Sequence, residues 1–505
     1  MAANNIICYG DVKSEGEFSV SYFYNLAKSY EKQEKYNKAI AAYTKAIDLD
    51  PNYSHAYNNR GLAYAKLGEY EKAIRFYDKC IELDNECIEA YCNRGNAYIY
   101  VKDYKKAILD YTKAIDFNSD YSLGYSNRGH AYYMLQKFDR AVNDFDKAIK
   151  LDPDNIKNYY KRGKVLLEIK NFSRAILDFN KVLEFKPEYS KAYYERGKAF
   201  AGINKYLKAI DDYSMAIKLN THFMKAYYER CKAYKKLNNY DNSLADITAV
   251  IKLEPGFADA YYEKANLEFE TGKYKESIDD CDRAIILDSS RDCYYELKGY
   301  IYYKLGEYEE TLKCFEKALD INHNNPKIYY HKAFINCKMG NYKEAIEDCN
   351  RAIAGEPDNY KYYLLRGNLY FSQNCYQKSL EDFNKVIELD NDIHSIYEHK
   401  AIAEFELGNY KEAIEDCNKA IAFGVKNHLI FCRKGIAMFK TGQFENALKS
   451  LNISLEMNNK YAESYYYRGL VYAKLGDWKN ATDDYMIAVE LDPKYTYDPE
   501  SCNKQ

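Results

Sequence analysis

The sequence predicts an all-α protein, a solenoid of stacked helix hairpins, and three observations predict it. A glycine or other small residue precedes an alanine or other small residue by twelve positions, and the pair returns every 34 residues, as Gly61/Ala73, Gly95/Ala107, Gly129/Ala141, Gly163/Ala175 and Gly197/Ala209. Each interval carries two apolar stretches of helical period, such as Tyr57, Gly61 and Tyr64 followed by Ala73, Tyr77 and Cys80, joined by a turn like "KLGEY". Proline respects the same frame: Pro51, Pro153, Pro187, Pro255, Pro357 and Pro493 share unit position 32, Pro326 opens a unit and Pro499 lies in the tail. None meets the roughly 3 kcal/mol cost of a proline inside a helix.

Counted from residue 20, the register runs to 495 without a slip. It divides the chain into an N-terminal segment (1–19), fourteen 34-residue units (20–53, 54–87, 88–121, 122–155, 156–189, 190–223, 224–257, 258–291, 292–325, 326–359, 360–393, 394–427, 428–461, 462–495) and a short tail (496–505). One such hairpin cannot bury its own apolar face, whereas stacked neighbours share one elongated core. Small residues at positions 8 and 20 let the two helices approach closely. A bulky side chain at Gly129 or Ala141 is therefore expected to overpack one interface, at a cost of about 1–3 kcal/mol.

Composition narrows the function classes. The 505 residues carry a net charge of −3 with both signs interspersed, which gives no bulk attraction to nucleic acid or an anionic membrane. The fourteen cysteines lack the compact spacing of small secreted scaffolds and are read as free thiols. Cys281, Cys349 and Cys417 share a position held elsewhere by an aromatic, so each serves as a small core hydrophobe. The opening "MAANNIICYGDVKSEGEFS" has no basic start followed by an apolar run, and no apolar stretch reaches membrane-spanning length, so a soluble cytoplasmic protein is expected. No phosphate-binding glycine loop, zinc-protease helix, Ser/His/Asp elbow or cysteine-metal box is present, and His331, His394, His399 and His428 are scattered. No enzymatic activity, cofactor or metal is expected.

With an aromatic at position 4, small residues at 8 and 20, aromatics at 11 and 24, alanine at 27 and proline at 32, the unit resembles the tetratricopeptide repeat. The resemblance covers all but the two ends. It implies a right-handed superhelix of antiparallel helix pairs, with the first helix of each pair lining a continuous concave surface, and fourteen units imply more than one superhelical turn. Departures are Glu268 and Glu404 at position 11, and the pair Cys231 and Ser243, where local loosening is expected.

Polar residues also keep to fixed positions. Position 7 is Arg or Lys in thirteen units, from Arg60 and Arg94 to Lys434 and Arg468, and only Leu26 departs; position 23 is Asp in ten, among them Asp110, Asp144, Asp178, Asp212 and Asp246. The spacing predicts an ion pair between this Asp and the position 7 cation of the following unit, with the same unit as the alternative, worth about 0–1 kcal/mol if mainly exposed. Position 6 lies about 100° round the helix from position 7. It is Asn25, Asn59, Asn93 and Asn127 in the first four units, a ladder of amides suited to the N–H and C=O of an extended peptide. From the fifth unit, positions 2, 5 and 9 become Lys157, Tyr160, Lys164, then Lys191, Tyr194, Lys198, then Lys225, Tyr228, Lys232, each triplet on one helical face. Such a strip attracts acidic or carboxylate-bearing peptides and offers rings to apolar side chains. Glu195 and Glu229 are placed to neutralise part of it.

The same resemblance implies a degenerate carboxylate clamp of the kind that chaperone-adaptor repeats use to hold an acidic C-terminal tail. Asn96, Asn127, Lys157 and Lys161 match four of its roles, Lys161 standing where the family has arginine, and Cys92 replaces the first lysine. In later units position 6 reads Glu263, Leu297, His331, Leu365, His399, Arg433 and Tyr467, and the ladder is lost. The function expected is a protein-protein interaction scaffold that binds extended peptides. The alternatives are a co-chaperone-type adaptor, a targeting subunit of a separate enzyme, and a rigid platform working through outer surfaces. Partners are expected to be proteins or peptides, acidic or with a free carboxylate. Self-association is a further expectation, because Tyr485, Met486, Ala488 and Val489 on the last helix have no capping helix after them.

Overall fold

A computed structural model describes residues 19–390 and 392–495; most of the N-terminal segment and the whole tail lie outside them. The described residues form 28 helices and no strand. They fall into two compact bodies, one ending at Leu267 and the other beginning at Glu268.

The first body opens with seven helix pairs: α1 (Val20–Lys32) and α2 (Tyr36–Leu49), α3 (Ser54–Lys66) and α4 (Tyr70–Leu83), α5 (Ile88–Tyr100) and α6 (Tyr104–Phe117), α7 (Ser122–Met134) and α8 (Phe138–Leu151), α9 (Ile156–Glu168) and α10 (Phe172–Phe185), α11 (Ser190–Gly202) and α12 (Tyr206–Leu219), α13 (Met224–Lys236) and α14 (Tyr240–Leu253). Every second helix starts on an aromatic ring 34 residues after the last. The turn before it passes through a left-handed residue, Gly68 at φ 82° or Lys102 at φ 63°. That residue and the next donate back to the final carbonyls of the first helix, as Lys102 does to Ile99 at 3.1 Å and Asp103 to Tyr98 at 2.9 Å. Asp103 then caps α6 by accepting from the Lys106 amide at 3.2 Å.

Within each pair the small residues create room for one ring. Tyr77, Tyr111, Phe145, Phe179 and Tyr213 are almost wholly buried, each contributing about 1.5–3 kcal/mol of apolar burial. The fit is close at Gly95, where an added Cβ would lie 2.7 Å from Tyr111 Cε1. The loosening expected at Cys231 and Ser243 is absent. Both are buried, and the Ser243 hydroxyl donates to the Cys231 carbonyl at 2.9 Å, so a hydrogen bond replaces the apolar contact.

In the second body the aromatic starts continue at Tyr274, Tyr308, Tyr342, Tyr376, Tyr410, Phe444 and Trp478. Regularity lapses most at the helix Ile396–Glu406, which has 11 residues, and its partner Tyr410–Ala422, which has 13, whereas Asp292–Leu305 runs one residue long at 14. Gly424 then adopts φ 98° in the divergent turn "FGVKN". His394 stacks on Phe423 there, with ring centroids 3.6 Å apart. Cys281, Cys349 and Cys417 are fully buried; burial raises the Cys349 and Cys417 thiols to about 12, which keeps them protonated and inert. The expectation for the last helix needs correcting. Tyr485 and Ala488 are buried within their own pair, while Met486 is 67% exposed.

Candidate peptide-binding face

The position 7 cations fix how successive first helices line up. Arg94 of α5 donates from Nε and Nη2 to Asp110 of α6 in its own pair, at 2.9 and 2.6 Å, and from Nη1 to Asp78 of α4 in the preceding pair, at 2.7 Å. The arrangement recurs at Arg128 with Asp144 and Thr112, Arg162 with Asp178 and Asp146, and Arg196 with Asp212 and Asn180. The predicted bond from the position 23 aspartate to the following unit is therefore corrected. That carboxylate is side-on to its own pair's arginine, and position 25 makes the bond between pairs. The signal was present in the sequence, since Thr44, Asp78, Thr112, Asp146, Asn180 and Ser214 keep position 25 polar. In the second pair Phe76 takes the aspartate's place, and the Arg60 guanidinium lies over its ring at 3.8 Å.

Position 6 makes a second set of bonds between pairs. Asn59 is buried and donates to the Tyr24 hydroxyl at 2.8 Å; Asn93, half-buried, donates to Asn58 Oδ1 at 3.1 Å; Lys161 donates to the Ser126 hydroxyl at 3.3 Å. Each acceptor is position 5 of the preceding pair. The buried Cys92 occupies that position before Asn127, and Asn127 donates instead to Asn96 Oδ1 at 3.2 Å, which also accepts from Tyr111 at 2.7 Å. One amide N–H of each of Asn59, Asn93 and Asn127 thus joins neighbouring helices. Asn25 and Asn96 are exposed.

Two hollows open along this row. One, of about 360 Å³, has Asn93, Asn96 and Asn127 in its wall together with Tyr100 and Tyr111. The other, of about 450 Å³, is lined by Lys157, Tyr160, Lys161, Lys164 and Lys186 over Phe145, Val165 and Val182. His130 borders both. The four residues that match the clamp are thus distributed over adjoining hollows. Burial, then Lys157, lower the Lys161 ammonium below the ordinary lysine range. Burial, then Lys161 and Lys164, lower His130 and keep its imidazole neutral.

The two later triplets are differently placed. Lys191 and Lys225 are exposed, but Lys198 pairs with Glu195 at 3.0 Å and Lys232 with Glu229 at 3.2 Å. Tyr194 and Tyr228 pack on Phe223 and Phe257, with centroids 4.9 and 5.5 Å apart. From α11 onward the positive strip is therefore neutralised in part, at Lys198 and Lys232, while Lys191 and Lys225 stay unpaired. Among the described residues no group of acids, histidines and cysteines could hold a metal ion, and no helix is long and apolar enough to cross a membrane.

A family profile described as tetratricopeptide repeat matches residues 24–86, 160–221, 228–292, 337–393 and 364–425, more than half of the chain. The chain belongs to the tetratricopeptide repeat (TPR) family. Two further TPR profiles match residues 299–340 and 435–476, and 88–121, 122–155 and 462–495. No curated protein shows significant similarity to it. Among solved structures, YrrB, described as a TPR protein with an unusual peptide-binding site, is similar at 26% identity and a TM-score of 0.35 over 37% of this chain and 97% of its own. The C-terminal part of a TPR repeat-containing protein from Cytophaga hutchinsonii is 21% identical, with a TM-score of 0.42, over 48% and 98%. The APC/C hetero-tetramer Cut9-Hcn1 is 15% identical, with a TM-score of 0.36, over 94% of both chains. The TPR architecture is a scaffold typical of protein-protein interaction and typically non-enzymatic.

Proposed function

We propose that this TPR protein is an interaction scaffold that binds an extended segment of a partner protein along the first helices of pairs three to five. The observation that carries the reading is that the hollow walled by Asn96 and Asn127 adjoins, at His130, the hollow lined by Lys157, Tyr160 and Lys161. Amides with hydrogen-bonding capacity to spare there meet peptide backbone, each bond netting about 0.5–1.5 kcal/mol, and rings and lysines select side chains. Asn59 contributes through packing, since it is buried with its amide donated to Tyr24. Capture of a partner from cell extract by the full chain, repeated with Asn96→Ala/Asn127→Ala, tests the reading. Capture lost in the double variant supports it; capture retained shows that other surfaces bind.

A second reading is favoured by Lys157, Lys161, Asn96 and Asn127 lying around adjoining hollows: grip of an acidic C-terminal tail. Peptides with a free terminal carboxylate then outbind their amidated forms. Self-association through the exposed Met486 face predicts a mass that rises with concentration in light scattering.

A further inference from the structure

The hollow of about 450 Å³ beside α9 combines a ligand-sized volume with an apolar floor. Its size is that of a ligand pocket, which typically spans about 300–1,000 Å³. Its floor is apolar, made by Phe145, Val165 and Val182, with the Tyr160 ring at the side. Its polar groups are one neutral histidine, three tyrosines and four lysines, with no acid in the lining.

Unpaired lysines gather here in greater number than in the two later triplets, where only Lys191 and Lys225 lack a carboxylate partner among the described residues. Lys157, Lys161, Lys164 and Lys186 have no carboxylate within ion-pair distance among the described residues, whereas Lys198 and Lys232 each meet a glutamate one and two pairs later. Lys161 is half-buried with only the Ser126 hydroxyl for a partner. A partly buried, unpaired ammonium is unfavourable unless a bound group supplies the counter-charge. The lysines also approach from two elements: three share one face of α9 at spacings of four and three, and Lys186 caps the end of α10. A single terminal carboxylate meets one of these sides. Acids before and after an apolar residue meet both.

We infer that this hollow receives an internal acidic segment of a partner, inserting one bulky apolar side chain over Phe145 and Val165 with carboxylates on either side. This rests on the reading that the face binds an extended segment, and it adds what that segment contains.

Fluorescence anisotropy with the full chain tests it, using an N-acetylated, C-amidated nonapeptide whose central phenylalanine is flanked on each side by two glutamates. Binding is expected, and it weakens about tenfold or more when the phenylalanine becomes alanine, when the glutamates of either side become glutamine, or when the protein carries Lys157→Glu or Lys186→Glu. Both lysines are exposed, so their substitution leaves folding intact, and Lys113→Glu on α6, outside the hollow, leaves binding unchanged. Absence of binding, indifference to the two lysine substitutions, or a requirement for a free terminal carboxylate overturns the inference. If that happens while Asn96→Ala/Asn127→Ala still abolishes partner capture, only the acidic motif fails; if capture survives as well, the face itself fails.

Discussion

Arg94 and Asp78 belong to different helix pairs, yet a 2.7 Å hydrogen bond joins them while the remaining nitrogens of the same guanidinium hold Asp110 side-on. One side chain thereby fixes both the packing within a pair and the phase between pairs. The two partners differ in burial, with 6% of the Asp110 side chain exposed against 44% of Asp78. Asp110→Ala leaves a largely buried cation without its main partner and is expected to cost about 3–5 kcal/mol; Asp78→Ala is expected to cost about 0–1 kcal/mol. Amide hydrogen exchange over α5 and α6 resolves the two locally. Equal effects would mean that phase and packing are not separable.

The room for the ring at position 24 differs between pairs. A Cβ at Gly95 would lie 2.7 Å from the Tyr111 ring, while at Gly129 the nearest atom is 3.2 Å away. Gly95→Ala is expected to destabilise by about 1–3 kcal/mol and Gly129→Ala by less. Thermal unfolding of the two variants gives the order.

Lys161 is expected to favour binding at the expense of stability. Its folded-state pKa lies below the ordinary lysine value, first through burial and then through Lys157. Below that folded-state pKa the ammonium is charged in both the folded and the unfolded chain, and the burial cost stands in full. As pH rises past it, the folded chain releases the proton before the unfolded chain does, so stability increases until pH reaches the ordinary lysine range. Lys161→Met removes the cost at neutral pH, raising stability by about 1 kcal/mol, abolishes this pH-dependent rise, and weakens binding of acidic peptides. Unfolding curves collected across alkaline pH for both proteins check the sign.

Most of the fold was legible because its determinants are local and repeated. The small pair at positions 8 and 20, the two apolar stretches of each unit and the proline at position 32 state the same period independently. The candidate face was legible only by position. Spacing placed Asn93, Asn127 and Lys161 on one side of their helices, but a single sequence does not say that each reaches back to its predecessor. Asn127 shows why: its acceptor moves to Asn96 because Cys92 offers no suitable oxygen, a consequence of two residues 35 apart. Likewise the lysine triplets look alike in sequence, and only the ion pairs of Lys198 and Lys232 separate them from the unpaired set beside α9.

Hydroxyl-radical footprinting of the full chain, with and without captured partner, tests most directly whether the first-helix face is the binding surface. Protection is predicted at Tyr133 and Tyr160, the half-buried rings around the larger hollow, with Leu109 and Leu177, exposed on the second helices α6 and α10, unchanged. Protection of Leu109 and Leu177 with Tyr133 and Tyr160 unchanged would place the partner on the outer surface and contradict the proposed site.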